Sequence, residues 1–299
     1  MATGLATIDG EVTEALIEHY SRRSRGPGLV IVEHSYVSKQ GKASTKQLGI
    51  YDDNLISGLK KLTDAVHKND ALIAIQLNHA GGKASSKVCG FRPVAPSRVK
   101  ISEETPKKLA LKDIEAVIDS FIQAAKRAKE AGFDAVEVHG AHGFLLNQFN
   151  SPLCNKRNDR YGGSIENRTR ISVRILTGIR RHLGKNYTIL YRLGADDMKP
   201  GGIMPEDGAA IAKILTKSGA DIIDVSGGLG GSAPQNASGQ GFLIPLASTI
   251  KKAVNVPVIG VGGITSLDYA DKVIREGLVD LVAIGRAILH EEIDLSPLD

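Results

Sequence analysis

Short apolar segments that alternate with amphipathic helical stretches constrain the fold of this chain more than any other feature. The apolar segments are rich in Val and Ile and mostly apolar on both faces, which is typical of buried parallel strands. Seven segments have this character: Gly28–Val37, Ala71–Leu77, Ala135–His139, Thr188–Leu193, Ile222–Ser226, Pro257–Val261 and Leu281–Ile284.

Amphipathic patterns with a helical period separate these strands. Seven helices are predicted: Thr13–Arg23, Asn54–Asn69, Leu111–Ala131, Glu166–Leu183, Pro205–Ser218, Gly241–Ala253 and Ser266–Glu276. Three of them run into glycine before the next strand, at Gly132, Gly219 and Gly277, as helix C-terminal caps do. Repeated β-α units predict a parallel sheet with right-handed crossovers, and no low-complexity linker divides residues 1–299. We therefore expect a single α/β domain, a (β/α)8 TIM barrel.

The strand count falls one short of a closed barrel, which needs eight strands. Only the short piece Met1–Gly4 precedes the first helical pattern, and Leu295-Ser296-Pro297 breaks the last one. We expect a barrel that lacks its first strand and its last helix, truncated at both ends. An open barrel of this kind exposes unpaired strand edges.

Composition excludes several classes of protein. No apolar run approaches the roughly 18–20 residues of a membrane span, and no secretion signal is visible. The net charge of +5 is spread along the chain and aromatic residues make up 4%, which argues against a nucleic-acid partner. Two cysteines without metal-ligand spacing predict neither a disulfide framework nor a metal site. A cytoplasmic, reduced protein fits best.

Two histidines stand where the third predicted strand ends. His139 and His142 are three residues apart, so both imidazoles can face the mouth of a barrel. Two donors that converge on one point can hold a carbonyl oxygen and stabilise the negative charge that develops on it. The alternative is that one of them is a structural histidine bonded to backbone. Zinc is disfavoured because no third ligand with suitable spacing is visible.

Glycine pairs follow the last two predicted strands. Gly262-Gly263 and Gly285-Arg286 offer close backbone approach and helix N-termini, both suited to an anion. Barrel phosphate sites use the loops after strands seven and eight. The two pairs follow strands seven and eight of a barrel only if one strand is missing ahead of Met1. The strand count and the predicted phosphate site therefore support each other.

The stretch from Ala135 to Arg170, AVEVHGAHGFLLNQFNSPLCNKRNDRYGGSIENRTR, resembles the signature of the Old Yellow Enzyme family of FMN-dependent oxidoreductases. The resemblance extends from Met1 to about Ile288. It implies FMN as cofactor, NADH or NADPH as hydride donor, and a small-molecule substrate, namely an electron-poor acceptor such as an enone. His139 and His142 would bind the acceptor carbonyl. The family also implies a homo-oligomer and a strand directly ahead of Met1.

The resemblance further implies a set of cofactor-binding residues. Arg192 would approach the pyrimidine side of the flavin, and the Gln76 amide would bond the flavin ring. His34 would contact the flavin through its backbone. Ala2 occupies the position where relatives often carry a Thr or Cys that tunes the flavin. The phosphate would lie on Gly262, Gly263, Gly285 and Arg286.

One position departs from the family. Relatives commonly carry a Tyr two residues after the second histidine, where it protonates the substrate α-carbon, and this chain has Phe144. Phenylalanine has no proton to give, so water or another side chain must supply it.

Two alternatives stay open at this point. The chain can be the barrel portion of a larger iron–sulfur flavoenzyme of the dienoyl-CoA reductase type, which carries a Cys-rich segment after the barrel. It can also be a non-catalytic, incomplete barrel that binds FMN weakly or not at all.

Overall fold

A computed structural model describes residues 1–290 and 293 of the chain. Within these residues nine strands follow one another: β1 Leu29–Tyr36, β2 Leu72–Asn78, β3 Val94–Ala95, β4 Lys107–Lys108, β5 Ala135–Gly140, β6 Thr188–Asp196, β7 Ile222–Gly227, β8 Val258–Gly260 and β9 Leu281–Val282. All seven predicted strands are present. The additional pair, β3 and β4, forms a small sheet of its own.

Ten α-helices occur in the same residues: α1 Glu14–Arg23, α2 Ile56–His67, α3 Ser86–Cys89, α4 Leu111–Glu130, α5 Leu145–Asn150, α6 Ile165–Leu183, α7 Pro205–Lys217, α8 Ile244–Lys251, α9 Leu267–Arg275 and α10 Arg286–Leu289. Three single turns of 3-10 helix are at Lys39–Gly41, Asp53–Leu55 and Gly81–Lys83. All seven predicted helices are confirmed. α3, α5 and α10 are not among the predicted helices because each is too short to show a helical period. No helix in this part of the chain is long and apolar enough to cross a membrane.

The seven strands other than β3 and β4 form one parallel sheet in the order β1-β2-β5-β6-β7-β8-β9. The sheet curls into a half-barrel, which confirms the predicted fold class. Among the described residues no strand pairs β9 with β1. The segment at Met1–Thr3 lies between these two edges, because the Thr3 N–H donates to Glu33 of β1 and the Met1 Sδ lies beside Gly285 after β9. The predicted break at Leu295–Pro297 lies outside the described residues.

Alternate residues of the strands face opposite sides of the sheet. The outward set, which includes Ile75, Val136 and Ile223, packs against the helices in the main apolar cluster. The inward set forms a second, smaller cluster of buried residues: Ala74, Ala135, Leu190, Leu243, Ile259 and Val261. This cluster is the floor of the half-barrel.

Aspartates at the start of three strands tie neighbouring strands together. Asp134, just before β5, accepts from the Ile73 N–H at 2.8 Å. Asp221, just before β7, does the same for the Ile189 N–H at 2.8 Å, and Asp280 accepts from the Val258 N–H at 2.9 Å. Each carboxylate therefore satisfies the first free N–H of the adjacent parallel strand, at the end opposite to the site described below.

The polar loop between α5 and α6 is held by its own side chains. Asn155 donates to the carbonyls of Phe149 and Tyr161, both at 2.7 Å. The Arg157 guanidinium bonds the carbonyls of Pro96 and Leu109 at 2.9 and 2.7 Å. These bonds fix the chain that leaves the histidine strand.

Candidate active site

Polar side chains emerge at the carboxyl ends of four adjacent strands. His34 lies on β1, Gln76 on β2, His139 on β5 and Arg192 on β6. In the parallel register His139 is opposite Arg192, and Gln76 is opposite Glu137. His34, Gln76 and Arg192 are partly exposed in a sheet that is otherwise mostly buried. The structure therefore brings these predicted residues to one face at the mouth of the half-barrel, and we call this face the cleft.

His139 and His142 contact each other directly. The distance between His139 Nε2 and His142 Nδ1 is 3.2 Å, and the ring centroids are 5.0 Å apart. His142 has a φ of 57°, in the left-handed region. Its N–H bonds the Gly227 carbonyl at 3.1 Å and its own carbonyl accepts from Lys83 Nζ at 2.6 Å. The unusual backbone at His142 turns its ring back towards His139.

The hydrogen bonds around the pair assign a tautomer to each ring. The Ala141 N–H donates to His139 Nδ1 at 3.3 Å, so the proton of His139 is on Nε2 and points to His142 Nδ1. The proton of His142 is then on Nε2 and points to Ser226 Oγ at 2.7 Å. An incoming oxygen must replace one of these acceptors to bind a histidine N–H.

Both imidazoles are neutral near neutral pH. Burial lowers the pKa of His139 well below its ordinary value, and the neighbouring His142 lowers it further. Burial, with the Arg192 charge as the next cause, lowers the pKa of His142 to about 3. Neutral rings each donate one hydrogen bond and carry no charge into the cleft.

Phe144 and His34 close one side of the histidine pair. The Phe144 ring meets His139 edge-on at 5.0 Å between centroids and lies 5.3 Å from the His34 ring. Gln47 Nε2 lies 2.7 Å from His34 Nδ1 and donates to the His34 backbone carbonyl at 2.9 Å. The Gln47 amide therefore fixes the orientation of the His34 ring and of its backbone carbonyl.

Arg192 is fixed by two residues of β7. Its Nη1 donates to Asp224 Oδ2 at 2.5 Å and its Nη2 to Ser226 Oγ at 3.3 Å. Its Nε is buried and has no hydrogen-bond partner in residues 1–290 and 293. Ser226 therefore links the guanidinium to His142. Gln76 uses its Nε2 to bond Glu137 Oε2 at 2.5 Å.

The two glycine pairs lie after neighbouring strands, since β8 pairs with β9. Gly262 and Gly263 have φ values of 128° and 64°, which L-residues with a side chain rarely adopt. A Cβ at Gly262 would lie 2.8 Å from the Leu243 N atom. Gly285 precedes α10, and Arg286 is exposed at its first position.

Ala2 lies in the exposed segment between β1 and the end of β9. Its methyl group offers no hydrogen bond, whichever ligand it faces. The described residues contain no group of three or more His, Cys, Asp or Glu side chains able to hold a metal ion.

Comparison with known proteins identifies the family. The family model for NADH:flavin oxidoreductase / NADH oxidase matches residues 1–293. The NADH oxidase of Thermoanaerobacter brockii is 43% identical over 97% of this chain, and an NADPH dehydrogenase of Clostridium acetobutylicum is 42% identical over 94%. The solved Old Yellow Enzyme homologue from Zymomonas mobilis superposes with a TM-score of 0.85 at 28% identity, over 96% of this chain and 82% of its own.

This chain belongs to the NADH:flavin oxidoreductase / NADH oxidase family. The predicted resemblance to Old Yellow Enzymes is confirmed, and with it FMN and a nicotinamide dinucleotide as the cofactors of the family. The chain spans 46% of the length of the NADH oxidase and 83% of that of the NADPH dehydrogenase.

The cleft of this family member has groups suited to FMN. The unpaired Arg192 Nε and the partly exposed Gln76 amide can bond a heteroaromatic ring with both donors and acceptors. Gly285 and Arg286 are exposed after β9, next to Gly262-Gly263 after β8, and can take a phosphate. The donor set therefore fits the cofactor.

Sequence reasoning missed two residues of this site, Glu137 and Asp224. Both are fully buried on the inner face of the sheet, next to Gln76 and Arg192. The signal was present in the sequence, because each is an acid inside a strand that is otherwise apolar, AVEVHG and IIDVSG. A charge in such a strand needs a partner.

Proposed function

We propose that this chain is an FMN-dependent NAD(P)H oxidoreductase that reduces an electron-poor acceptor, such as an α,β-unsaturated carbonyl compound. The observation that carries the proposal is the contact between two neutral histidines, 3.2 Å apart, at the end of β5 and beside Arg192. Family membership supports the flavin and the nicotinamide donor. Bound FMN would supply the hydride transfer between that donor and the acceptor.

In this proposal His139 and His142 hold the carbonyl oxygen of the acceptor. Each neutral ring has one N–H to offer, at present used within the protein by His142 and Ser226. A carbonyl oxygen that replaces these acceptors receives two hydrogen bonds in a buried setting. Such bonds strengthen as negative charge develops on the oxygen.

Gln76 and Arg192 would hold the flavin ring in this proposal. Arg192 places a fixed positive charge where a reduced ring carries its negative charge, which favours hydride uptake. His34 would contact the ring through backbone, and Ala2 would leave one ring position without a side-chain hydrogen bond.

The phosphate of the cofactor would lie on the backbone of Gly262, Gly263 and Gly285, with Arg286 as its counter-charge. The two loops are neighbours because β8 and β9 pair. Barrel enzymes commonly bind phosphate at this place.

The proton that completes alkene reduction has no tyrosine donor in this chain. Phe144 occupies the position next to His139 and His34, and its ring cannot donate. We propose that solvent entering the cleft supplies the proton, so that protonation is slow relative to relatives that carry a tyrosine.

The test begins with the purified full chain. We expect a yellow protein that releases FMN on denaturation, bleaches anaerobically with NADH or NADPH, and regains its colour with a cyclic enone. His139→Ala should keep FMN and its bleaching but lower the rate of reoxidation by the enone roughly 10²–10³-fold, as loss of one oxyanion donor does.

His182→Ala is the matched control, because His182 is exposed in the last turn of α6, before β6 begins, whereas the cleft lies at the carboxyl ends of the strands. It should leave every step unchanged. A colourless protein that refuses added FMN would refute the proposal. Equal enone rates for wild type and His139→Ala would refute the role of the histidine pair.

A second candidate function rests on the comparison of lengths. The chain matches less than half of the Thermoanaerobacter brockii NADH oxidase at 43% identity, so it also fits the barrel portion of a larger flavoenzyme. Sequencing beyond both ends of the reading frame decides this, since a downstream Cys-rich segment would favour an iron–sulfur enzyme.

A further inference from the structure

Four polar side chains form a layer inside the half-barrel, directly above its apolar floor. They are Gln76, Glu137, Arg192 and Asp224, on β2, β5, β6 and β7. In the parallel register Gln76 is opposite Glu137, and Arg192 is opposite Asp224. Two residues earlier on these strands come floor residues such as Ala74, Ala135 and Leu190. The layer therefore lies between an apolar floor and the cleft.

The hydrogen bonds within this layer use only one carboxylate oxygen of each acid. Gln76 bonds Glu137 Oε2, and Arg192 bonds Asp224 Oδ2, each at 2.5 Å. Glu137 Oε1 and Asp224 Oδ1 are buried and accept no N–H or O–H from the part of the chain that the structure describes. Two ionised carboxylates at this depth would leave both oxygens unsatisfied and repel each other.

A single proton between the two acids removes both problems. The carboxyls of Glu137 and Asp224 are close enough for a hydrogen bond between them to affect the pKa of each. The proton belongs on Glu137, because its other partner is a neutral amide whereas Asp224 faces the Arg192 cation. Burial, with the Asp224 charge as the next cause, raises the pKa of Glu137 to about 8. For Asp224, the Arg192 charge opposes the effect of burial.

The other charged or titratable groups around the pair are few. Glu33 on β1 is bonded by the Thr3 N–H, and burial raises its pKa. The amino group of Met1 lies near enough to Glu33 and Glu137 for both to affect its pKa. His139 lies above Glu137 on β5 and stays neutral, because burial lowers its pKa. Among the described residues, Arg192 is a cation whose charge lowers the pKa of both acids.

We propose that Glu137 and Asp224 share one proton and together position Arg192 for the cofactor. Asp224 orients the guanidinium and balances its charge, while Glu137, protonated, donates to Asp224. The trio of Arg192, Glu137 and Asp224 then has no net charge. Loss of the shared proton would give it one negative charge beneath the cofactor, which disfavours the uptake of electrons. This inference rests on the proposed function only in that Arg192 faces FMN.

The proton itself can be tested without the cofactor. We would record infrared spectra of the FMN-free full chain for the wild type and for Glu137→Gln. The difference spectrum, wild type minus variant, should contain the carbonyl band of a protonated carboxylic acid. The band should shift when the protein is grown with ¹³C-labelled glutamate, and it should disappear as the pH rises through about 8. Absence of the band at neutral pH, or a band that labelled glutamate does not shift, would overturn the shared proton.

The positioning role is tested on the FMN-loaded protein with two amide variants of similar shape. Asp224→Asn leaves Arg192 without its carboxylate and should weaken FMN binding about tenfold or more, because one member of a buried ion pair is lost. Glu137→Gln can still donate to Asp224. We expect its FMN dissociation constant to stay within about threefold of the wild type, far from the change for a broken ion pair.

The reduction potential of the bound flavin gives a readout that a purely structural role would not move. Below the pKa of Glu137 the wild type and Glu137→Gln should have the same potential. Above it the wild-type potential should fall further, while that of Glu137→Gln should not. Parallel pH profiles, or equal FMN binding by the two variants, would overturn the positioning role.

The outcomes separate this inference from the proposed function. A chain that binds no FMN refutes the proposed function, and the infrared band still decides the shared proton. A chain that reduces enones but lacks the band refutes the inference alone. If Asp224→Asn does not fold, the labelled spectra and the Glu137→Gln potential still decide it.

Discussion

At the scale of single residues, Phe144 is the substitution that most affects the expected chemistry. Its ring lies 5.0 Å from that of His139 and is partly exposed to the cleft. We predict that Phe144→Tyr speeds reoxidation of the prereduced enzyme by a cyclic enone about tenfold to a hundredfold, because a phenol supplies the proton. Stopped-flow absorbance of the flavin measures this rate.

Phe91→Tyr is the control for that experiment, since Phe91 is 48% exposed on the surface. It should change nothing. An unchanged rate in Phe144→Tyr would mean that protonation does not limit reoxidation, or that the ring does not face the acceptor.

Glu137 also makes stability depend on pH. Its folded-state pKa of about 8 lies above the ordinary value of 4.5, so between these values the native state holds a proton that the unfolded chain releases. The stability contributed by this proton is complete below about pH 4.5, declines as the pH rises and is lost above about pH 8.

We therefore predict that the free energy of unfolding of the wild type, relative to Glu137→Gln, falls as the pH rises from about 5 to about 8. The slope should be at most about 1.4 kcal/mol per pH unit for one proton. Urea unfolding at several pH values measures the difference. Parallel curves for the two proteins would show that Glu137 is ionised in the native state.

At the scale of elements, the strand-start aspartates give a prediction about the sheet. Asp221 accepts from the Ile189 N–H at 2.8 Å and pairs with Arg180 at 2.6 Å. Asp221→Ala leaves a buried N–H at the start of β6 unpaired, which should lower the free energy of unfolding by about 1–3 kcal/mol. Asp221→Asn should cost less, because its amide oxygen still accepts the bond.

Asp64→Ala serves as the control in the same urea experiment. Asp64 forms an exposed pair with Lys60 within α2, and its side chain is 54% exposed. Its removal should change stability by no more than about 0.5 kcal/mol. A loss of that small size in Asp221→Ala would mean that the bond does not hold the two strands together.

At the scale of the whole molecule, the late strands are the weakest part of the sheet. β8 has three residues and β9 two, whereas β6 has nine. In the proposed function FMN spans the longer strands and these short ones. Its ring lies near Gln76 and Arg192, and its phosphate lies on Gly262, Gly263 and Gly285. We predict that FMN at about 100 times its dissociation constant stabilises the chain by about 2.7 kcal/mol.

Thermal unfolding with and without FMN measures this effect, and hydrogen exchange over residues 258–290 should slow most. Riboflavin, which lacks the phosphate, should stabilise less. No shift in Tm with FMN would contradict the proposed cofactor site. The predicted homo-oligomer and cytoplasmic location remain predictions, and light scattering of the FMN-loaded chain measures the former.

The sequence by itself determined the order and number of elements in the sheet. All seven strands and all seven long helices follow from local periodicity, because alternation of apolar residues depends only on near neighbours along the chain. The histidine pair and the glycine pairs were likewise visible, since each is a short run at a strand end. Outside the predicted set are the short helices α3, α5 and α10 and the two-residue strands β3 and β4, because elements of this length show no period.

Tertiary structure alone decided which side chains act together. Gln76 and Glu137 are 61 residues apart, and His142 and Ser226 are 84 apart, yet each pair is hydrogen-bonded. The tautomers of the histidines and the shared proton of Glu137 depend on these contacts. Hydrogen bonds act over about 3 Å, so only the register of the strands and the path of the loops that follow them bring such groups within reach. Local sequence patterns carry no information on that register.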